Sequence, residues 1–463
     1  MAVETAQLES YLESFTGFAK DTAAITPRWL RDLRDNAFAR FCAVGFPTTR
    51  DEDWRFTNVA ALARTPFRLA CASAIPLAAS ELISRRMEGA TARMVFVDGR
   101  FAPKLSNSDL LPEGVTVRSL REAIARRPEA VAEHLGRYLD IERDPFCALN
   151  TAFADDGAYV HVKRSVVVEH PIHLLFVSTS GNEPTMTHPR NLIVVEDEGQ
   201  ASIVEEYVSS GVEAPAFSNA ATELVAGGNS TVTHTMIERE HLQTYNFSTL
   251  RIEQARNANV VSHSLLLGGG LVRNNVHPVL AGDGGECLIN GLFIGSGRQH
   301  LDNYMLVEHR SPHCASRQFY NGILDDRSHG VFHGRIIVHK DAQKTDAKQT
   351  NRNLLLNDDA QINTKPQLEI YADDVKCTHG ATIGQIEENA LFYLRSRGID
   401  EVDARGLLLQ AFASECLDRM KPGVTRDYVE AVVQQRLLSI ARATSSEGKG
   451  SEKDHGRNWE EAG

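Results

Sequence analysis

The chain has 463 residues, of which 42% are hydrophobic and 24% charged, and its formal net charge is -12. This length predicts two or three soluble domains, and the negative charge argues against nonspecific nucleic-acid binding, which needs a basic surface. No apolar run approaches the roughly 20 residues of a membrane span, and the N-terminal segment lacks the pattern of a signal peptide. We therefore expect a cytoplasmic protein. Its seven cysteines, without a CxxC pair, indicate reduced thiols.

Residues 1–156 are predicted to form a mainly helical region. Leu8, Tyr11 and Phe15 share one helical face, Pro27 is placed to begin a second helix, and residues 120–138 fit another. Residues 94–101 predict a β-hairpin with Asp98 and Gly99 as its turn, because this dipeptide favours the tight turns that join paired strands.

The pattern changes over residues 157–384, where short alternating apolar segments are separated by Gly, Asn and Asp. The clearest segments are 173–177, 191–195, 202–207, 260–267, 288–294 and 334–338. Similar segments begin at His234, His263 and Asn290, spaced by 29 and 27 positions. A loose period of this size predicts the stacked coils of a parallel β-helix. From spacing alone, an antiparallel sandwich or barrel fits equally well.

Helical periodicity returns over residues 385–443, which are predicted to form a C-terminal helical domain. Gly398 is placed to end its first helix and Asp400 to cap the second. Residues 444–463 are polar and are expected to form a disordered tail.

Chemistry is most concentrated at Cys377 and His379, two positions apart in a segment of small residues that we expect to form a turn. On an extended backbone both side chains would point to the same face, and thiolate and imidazole are ligands for iron, iron–sulfur clusters and zinc. Two ligands cannot complete a site, so others would have to come from elsewhere. The alternative is a buried cysteine beside a structural histidine.

A second group of soft-ligand residues lies within 40 positions, without any standard zinc spacing. Its members are His300, His309, His313, Cys314, His329, His333 and His339. In stacked coils such histidines commonly bond to the neighbouring coil, and we favour that structural interpretation. The chain also lacks a P-loop, a GxSxG elbow and a dinucleotide fingerprint, so no catalytic residue is predicted.

Residues 300–360, together with the segment around Cys377, closely resemble the SufB/SufD family of iron–sulfur cluster assembly proteins. The segment at residues 50–57, with Trp54 at its centre, places the chain nearest the SufD branch. Two features of the SufB branch are missing, because Ala360 stands where it has a scaffold cysteine and Gly380 where it has a glutamate. Asn321 replaces a lysine that relatives usually carry.

The resemblance implies a mainly β protein, with a right-handed parallel β-helix between helical regions. It implies a non-catalytic scaffold subunit that forms a heterodimer with a SufB-like protein through the β-helix and binds a SufC-like ATPase through the C-terminal helices. It also implies that His379, with Cys377 as a second candidate, joins partner ligands around a nascent iron–sulfur cluster held transiently at the interface. A homodimer of the isolated chain is left open.

For the ATPase contact we selected four apolar residues of the C-terminal helices, with packing between those helices as the alternative. They are Phe392, Leu409, Phe412 and Cys416. Two other functions are kept as rivals: a β-helix enzyme acting on polysaccharides with paired carboxylates, and a stand-alone metal-binding protein that uses the histidine-rich stretch.

Overall fold

The computed structural model describes residues 2–70, 85–108 and 111–451. The helices in these ranges are α1 (Ala2–Thr22), α2 (Arg28–Val44), α3 (Ala60–Arg64), α4 (Leu120–Arg126), α5 (Pro128–Ala132), α6 (Pro145–Ala152), α7 (Glu388–Ser396), α8 (Glu401–Leu417) and α9 (Val424–Ser451). None of them is long and apolar enough to cross a membrane.

The strands fall into two regions of the chain. The early strands are β1 (Arg68–Leu69), β2 (Ala92–Val97), β3 (Arg100–Phe101), β4 (Val115–Ser119), β5 (Ala158–Val162), β6 (Ile172–Ser178), β7 (Thr185–Thr187), β8 (Arg190–Val195), β9 (Gln200–Ser209), β10 (Ala216–Ala226), β11 (Thr231–Arg239) and β12 (Thr244–Gln254). The later strands are β13 (Asn259–Leu266), β14 (Leu271–Leu280), β15 (Glu286–Gly295), β16 (His300–His309), β17 (Ala315–Leu324), β18 (His329–Val338), β19 (Asp346–Leu355), β20 (Gln361–Ile370) and β21 (Lys376–Gly384).

Successive strands from β8 onward alternate between two sheets. The first sheet runs in the order β20-β18-β16-β14-β12-β10-β8-β5-β4, and the second in the order β21-β19-β17-β15-β13-β11-β9-β6-β2-β3. Neighbouring strands of the coils are parallel and in register, so that Leu271, His300 and His329 lie side by side. The predicted parallel β-helix is therefore confirmed, and parallel pairing excludes the antiparallel sandwich or barrel.

The repeat inferred from the sequence gives the correct pairing between the segments at His263 and Asn290. Between the segments at His234 and His263, the inferred pairing is shifted by one residue. His263 pairs with Asn290, as the spacing indicated, whereas His234 pairs with Ser262. Because side chains alternate between the faces of a strand, this offset sends the two histidines to opposite sides. The buried His234 lies 3.1 Å from Glu205 inside the solenoid, whereas His263 faces the C-terminal helices beside Cys416.

Three apolar clusters hold the architecture together. The solenoid interior contains stacked side chains from both sheets, such as Ile289, Phe293 and Phe332. The outer face of the first sheet is covered by the N-terminal helices. The outer face of the second sheet is covered by α8 and α9. The two helical layers thus lie on opposite faces of one solenoid.

The helical predictions hold in part. The hairpin at 94–101 is present, with its turn at Asp98 and Gly99, both at positive φ. Its first strand, β2, pairs in parallel with β6 of the second sheet. The prediction of a single helix over residues 120–138 is wrong. Helix α4 ends at Arg126, because Pro128 cannot donate the backbone hydrogen bond that a continuous helix needs. Pro128 instead begins the separate helix α5.

The C-terminal boundaries follow the capping residues. The Asp400 side chain accepts hydrogen bonds from the backbone N–H groups of Val402 and Asp403, and so it caps α8 as predicted. Gly398 has a φ of +86°, which suits the end of α7. Helix α9 extends to Ser451, beyond the point where a disordered tail was expected to begin. Residues 452–463 lie outside the described residues.

Candidate functional site at the open end of the solenoid

The last coil of the solenoid consists of β20 and β21, which end the two sheets. No strand within the described ranges pairs with their outer edges. All residues of β21 are exposed except Cys377, which is half-buried. This coil therefore presents one row of free backbone groups and the end of the solenoid interior to solvent.

Cys377 and His379 lie within β21, so the turn expected for them is wrong. Cys377 pairs with Ala347 and His379 with Gln349, two buried residues whose side chains face the interior. Because paired residues of parallel strands face the same side, both candidate ligands face the interior at its open end. The extended backbone and the shared face inferred from the sequence are thus present, and they belong to a strand instead of a turn.

The two side chains differ in exposure. Cys377 packs against the interior cluster, and burial raises the pKa of its thiol, so this cysteine is held in its protonated form in the isolated chain. His379 is exposed. Of the two candidates, the imidazole is therefore the one that is directly available to an incoming ligand.

The described ranges contain no group of three His, Cys, Asp or Glu side chains placed to hold a metal ion. The open end alone supplies one thiol and one imidazole, which is half of a tetrahedral set. A cluster bound here would need further ligands besides these two side chains.

The residues of the histidine-rich stretch are spread along the coils, and five of its histidines form side-chain hydrogen bonds within the fold, whereas His313 is exposed. The pairs are His300 with Thr57, His309 with Ser316, His329 with Asn363, His333 with Gln367 and His339 with Glu308. Burial lowers the pKa of both His300 and His309 to about 4, so these rings are neutral near pH 7. These contacts support the structural interpretation of the stretch.

The four apolar residues chosen for ATPase binding have different surroundings. Phe392 on α7 is 74% exposed. Leu409 and Cys416 on α8 are buried against the second sheet, and Phe412 is partly buried beside them. The Cys416 thiol donates to the backbone oxygen of Gly291, and burial raises its pKa to about 12. Of these four residues, Phe392 is the one with a large exposed apolar surface.

Asn321 has a local structural role in this chain. It is buried in β17, and its side-chain amide donates to the backbone oxygen of Phe412 at 2.9 Å. The residue therefore ties α8 to the second sheet. A neutral amide suits this position because the Asn321 side chain is buried, where a charged group is costly.

The segment at residues 50–57 fastens the N-terminal region to the first sheet. Trp54 packs on Phe146 and Phe247, and the Arg273 guanidinium lies 3.9 Å from the centre of its ring. Nearer the end of the solenoid, Glu52 of the same segment forms an ion pair with Lys365 of β20. The segment therefore reaches from the middle coils to the last coil.

Sequence reasoning missed Gln349, the interior neighbour of His379 in the preceding coil. The available signal was its spacing of 31 positions from Gln318, another interior amide one coil earlier. That signal becomes readable only when the coil register is known.

Comparison with known proteins agrees with this architecture. Residues 176–412 match the family described as SUF system FeS cluster assembly, SufBD core domain, and residues 5–174 match the SufBD protein N-terminal region. An iron-sulfur cluster assembly SufBD family protein of Synechocystis is 37% identical over 84% of this chain and 87% of its own length.

Two further relatives are named iron-sulfur cluster assembly protein SufD. The one from Escherichia coli is 32% identical over 86% of this chain and 91% of its own length. The one from Bacillus subtilis is 24% identical over 93% of this chain and 98% of its own length. With both family regions matched in order along a two-sheet solenoid, the chain belongs to the SufBD family of the SUF iron–sulfur cluster assembly system.

Proposed function

We propose that this chain is a SufD-like, non-catalytic subunit of an iron–sulfur assembly scaffold, which pairs with a SufB-like subunit through the last coil of its solenoid. The observation that carries the proposal is the exposed His379 on an unpaired end strand, next to the half-buried Cys377. The family match favours this role over a polysaccharide-active enzyme and over a stand-alone metal-binding protein.

The proposed cargo is a nascent iron–sulfur cluster held between the two subunits. Imidazole in place of thiolate lowers the negative charge of a ligand set, and a ligand set divided between chains is opened by moving the chains apart. His379 would contribute the ligand from this chain. The Cys377 thiol would join only after losing its proton, because burial favours the protonated form.

The test is His379→Ala in the co-expressed complex with a SufB-like protein and a SufC-like ATPase. We expect lower iron and sulfide content after anaerobic purification, with the complex still assembled. His313→Asn is the matched control, because it removes an exposed imidazole from a loop away from the last coil and keeps a residue suited to the positive φ there. Unchanged iron and sulfide content in the His379 variant would remove this residue from the site.

We further propose that the SufC-like ATPase binds the exposed face of α7. Phe392 supports this assignment, because exposed aromatic residues often dominate binding energy at protein interfaces. Leu409 and Cys416 instead support the contact indirectly, by fixing α8 on the second sheet. Movement of the helices would then be passed to the solenoid through this packed layer.

Phe392→Asp tests the ATPase assignment. We expect the amount of co-purified ATPase to fall about tenfold or more, which corresponds to the loss of one aromatic interface anchor. Leu242→Ser is the control, because Leu242 is 60% exposed in a loop of the solenoid. Equal ATPase recovery with both variants would place the contact elsewhere.

A further inference from the structure

An interior column of side chains leads to His379. Gln318, Gln349 and His379 occupy equivalent positions in β17, β19 and β21. Neighbouring strands lie about 4.8 Å apart, so side chains in such a column stack directly on one another. Both glutamines are almost fully buried, at 2% and 1% exposure, whereas the imidazole ends the column at the open coil.

The amide of Gln349 is oriented along this column. Its Nε2 donates to Oε1 of Gln318 at 2.8 Å. Its own Oε1 is buried and accepts no hydrogen bond from any residue in the described ranges. Since the nitrogen is used on the side of the preceding coil, the carbonyl oxygen is left for the side of the last coil, where His379 lies. A buried acceptor without a donor is costly, so the position of this oxygen favours a donor on the side of the last coil.

The opposite sheet leaves room for this amide. A Cβ atom added at Gly334 would lie 2.0 Å from Nε2 of Gln349, so any other residue there would displace the side chain. Gly334 pairs with Pro366 of the last coil, which cannot offer a backbone N–H to the unpaired oxygen. The donor that the oxygen lacks is therefore best supplied by the imidazole next in the column.

We propose that Gln349 is a positioning residue for His379, whose ring N–H donates to Oε1 of Gln349 when the ring turns inward. This contact selects one tautomer and directs the lone pair of the other ring nitrogen toward the open end. Metal-binding histidines typically donate their second nitrogen to an oxygen acceptor in this way. The role in cluster binding rests on the proposed function, whereas the ring contact does not.

The ring contact is tested on the full chain without cargo, by nitrogen-15 NMR of labelled histidine above the pH at which exposed imidazoles lose their proton. We expect Gln349→Leu to change the tautomer ratio of His379, and Gln349→Glu, which keeps an acceptor, to retain the wild-type ratio. The control is Asn351→Leu, because Asn351 is an equally buried interior amide of β19 that pairs with Ala381. An identical tautomer ratio in wild type and Gln349→Leu would overturn the proposal.

A second variant covers the case in which Gln349→Leu does not fold. Gly334→Ala displaces the Gln349 amide without altering its chemistry, and we expect it to change the tautomer ratio in the same direction. No change in a folded Gly334→Ala variant would count against the proposal.

Iron and sulfide loading separates this proposal from the proposed function. In the co-purified complex we expect Gln349→Leu to weaken iron binding about 10-fold or more, with Asn351→Leu near wild type. If Gln349→Leu changes the tautomer while His379→Ala leaves loading intact, the positioning contact stands and the cluster role fails. If His379→Ala abolishes loading while Gln349→Leu changes neither loading nor tautomer, the cluster role stands and the positioning role fails.

Discussion

Removing one hydroxyl group from α9 tests how firmly the C-terminal helices are joined to the solenoid. The Tyr428 hydroxyl donates to the carboxylate of Glu206 at 3.0 Å, and Glu206 also binds His173 and Arg239. Burial alone would raise the pKa of the Glu206 carboxyl, but the His173 hydrogen bond and the Arg239 charge hold that pKa below its ordinary value. The acceptor is therefore ionised and fully buried.

Tyr428→Phe deletes this hydrogen bond, together with the one that Arg239 Nη2 donates to the same hydroxyl at 2.9 Å, and leaves the ring in place. Hydrogen bonds to charged groups contribute about 1.5–3 kcal/mol, so we expect the free energy of unfolding in urea to fall by about 2 kcal/mol. Amide hydrogen exchange in α9 should accelerate more than exchange in the late strands β17 and β19, because the lost contact joins α9 to β9.

Tyr393→Phe is the control for this measurement, since Tyr393 is 57% exposed on α7, and it should change stability by less than about 0.5 kcal/mol. Equal stability and equal exchange in wild type and Tyr428→Phe would refute the reasoning that this network fastens α9 to the second sheet.

Three further predictions concern stability measured by urea unfolding. Burial beside Glu240 raises the pKa of Glu238 from its ordinary 4.5 to about 8. The native state thus holds an extra proton between these values, and stability should fall by up to about 5 kcal/mol as pH rises from 4.5 to 8. Glu238→Gln should flatten this dependence, and an unchanged slope would contradict the assignment. Trp54→Ala should cost about 3–5 kcal/mol, because its ring is buried between aromatic neighbours and a guanidinium, and a cost below 1 kcal/mol would mean that the segment is loosely held. Gly291→Ala should cost about 1–3 kcal/mol, because the new Cβ would lie 1.9 Å from the Tyr320 ring, and Tyr320→Leu should restore part of the loss.

The strand spacing predicted a parallel β-helix and an antiparallel sandwich or barrel equally well, and the resemblance to the SufB/SufD family decided for the β-helix. The exact register could not be predicted, since loops between coils vary in length and one added residue reverses which face a side chain takes. His234 illustrates this point, because its motif resembles that of His263 although the two face opposite sides.

At the candidate site, the shared face of the two candidate ligands followed from the spacing of Cys377 and His379. Their exposure did not, because it depends on β21 being the last strand of its sheet. Gln349 was missed for a related reason: it is 30 positions from His379 in the chain and becomes its neighbour only through coil stacking.

The two ends of the solenoid are finished differently. At the start, each sheet ends in an antiparallel strand, β4 or β3, whereas at the far end the parallel strand β21 keeps one row of backbone N–H and C=O groups without strand partners in the described ranges. Such an edge is a template for pairing with a strand of another chain. Under the proposed pairing with a SufB-like subunit, copies of this chain made in excess of that subunit would keep this edge uncovered, and we expect them to self-associate more readily than the paired chain.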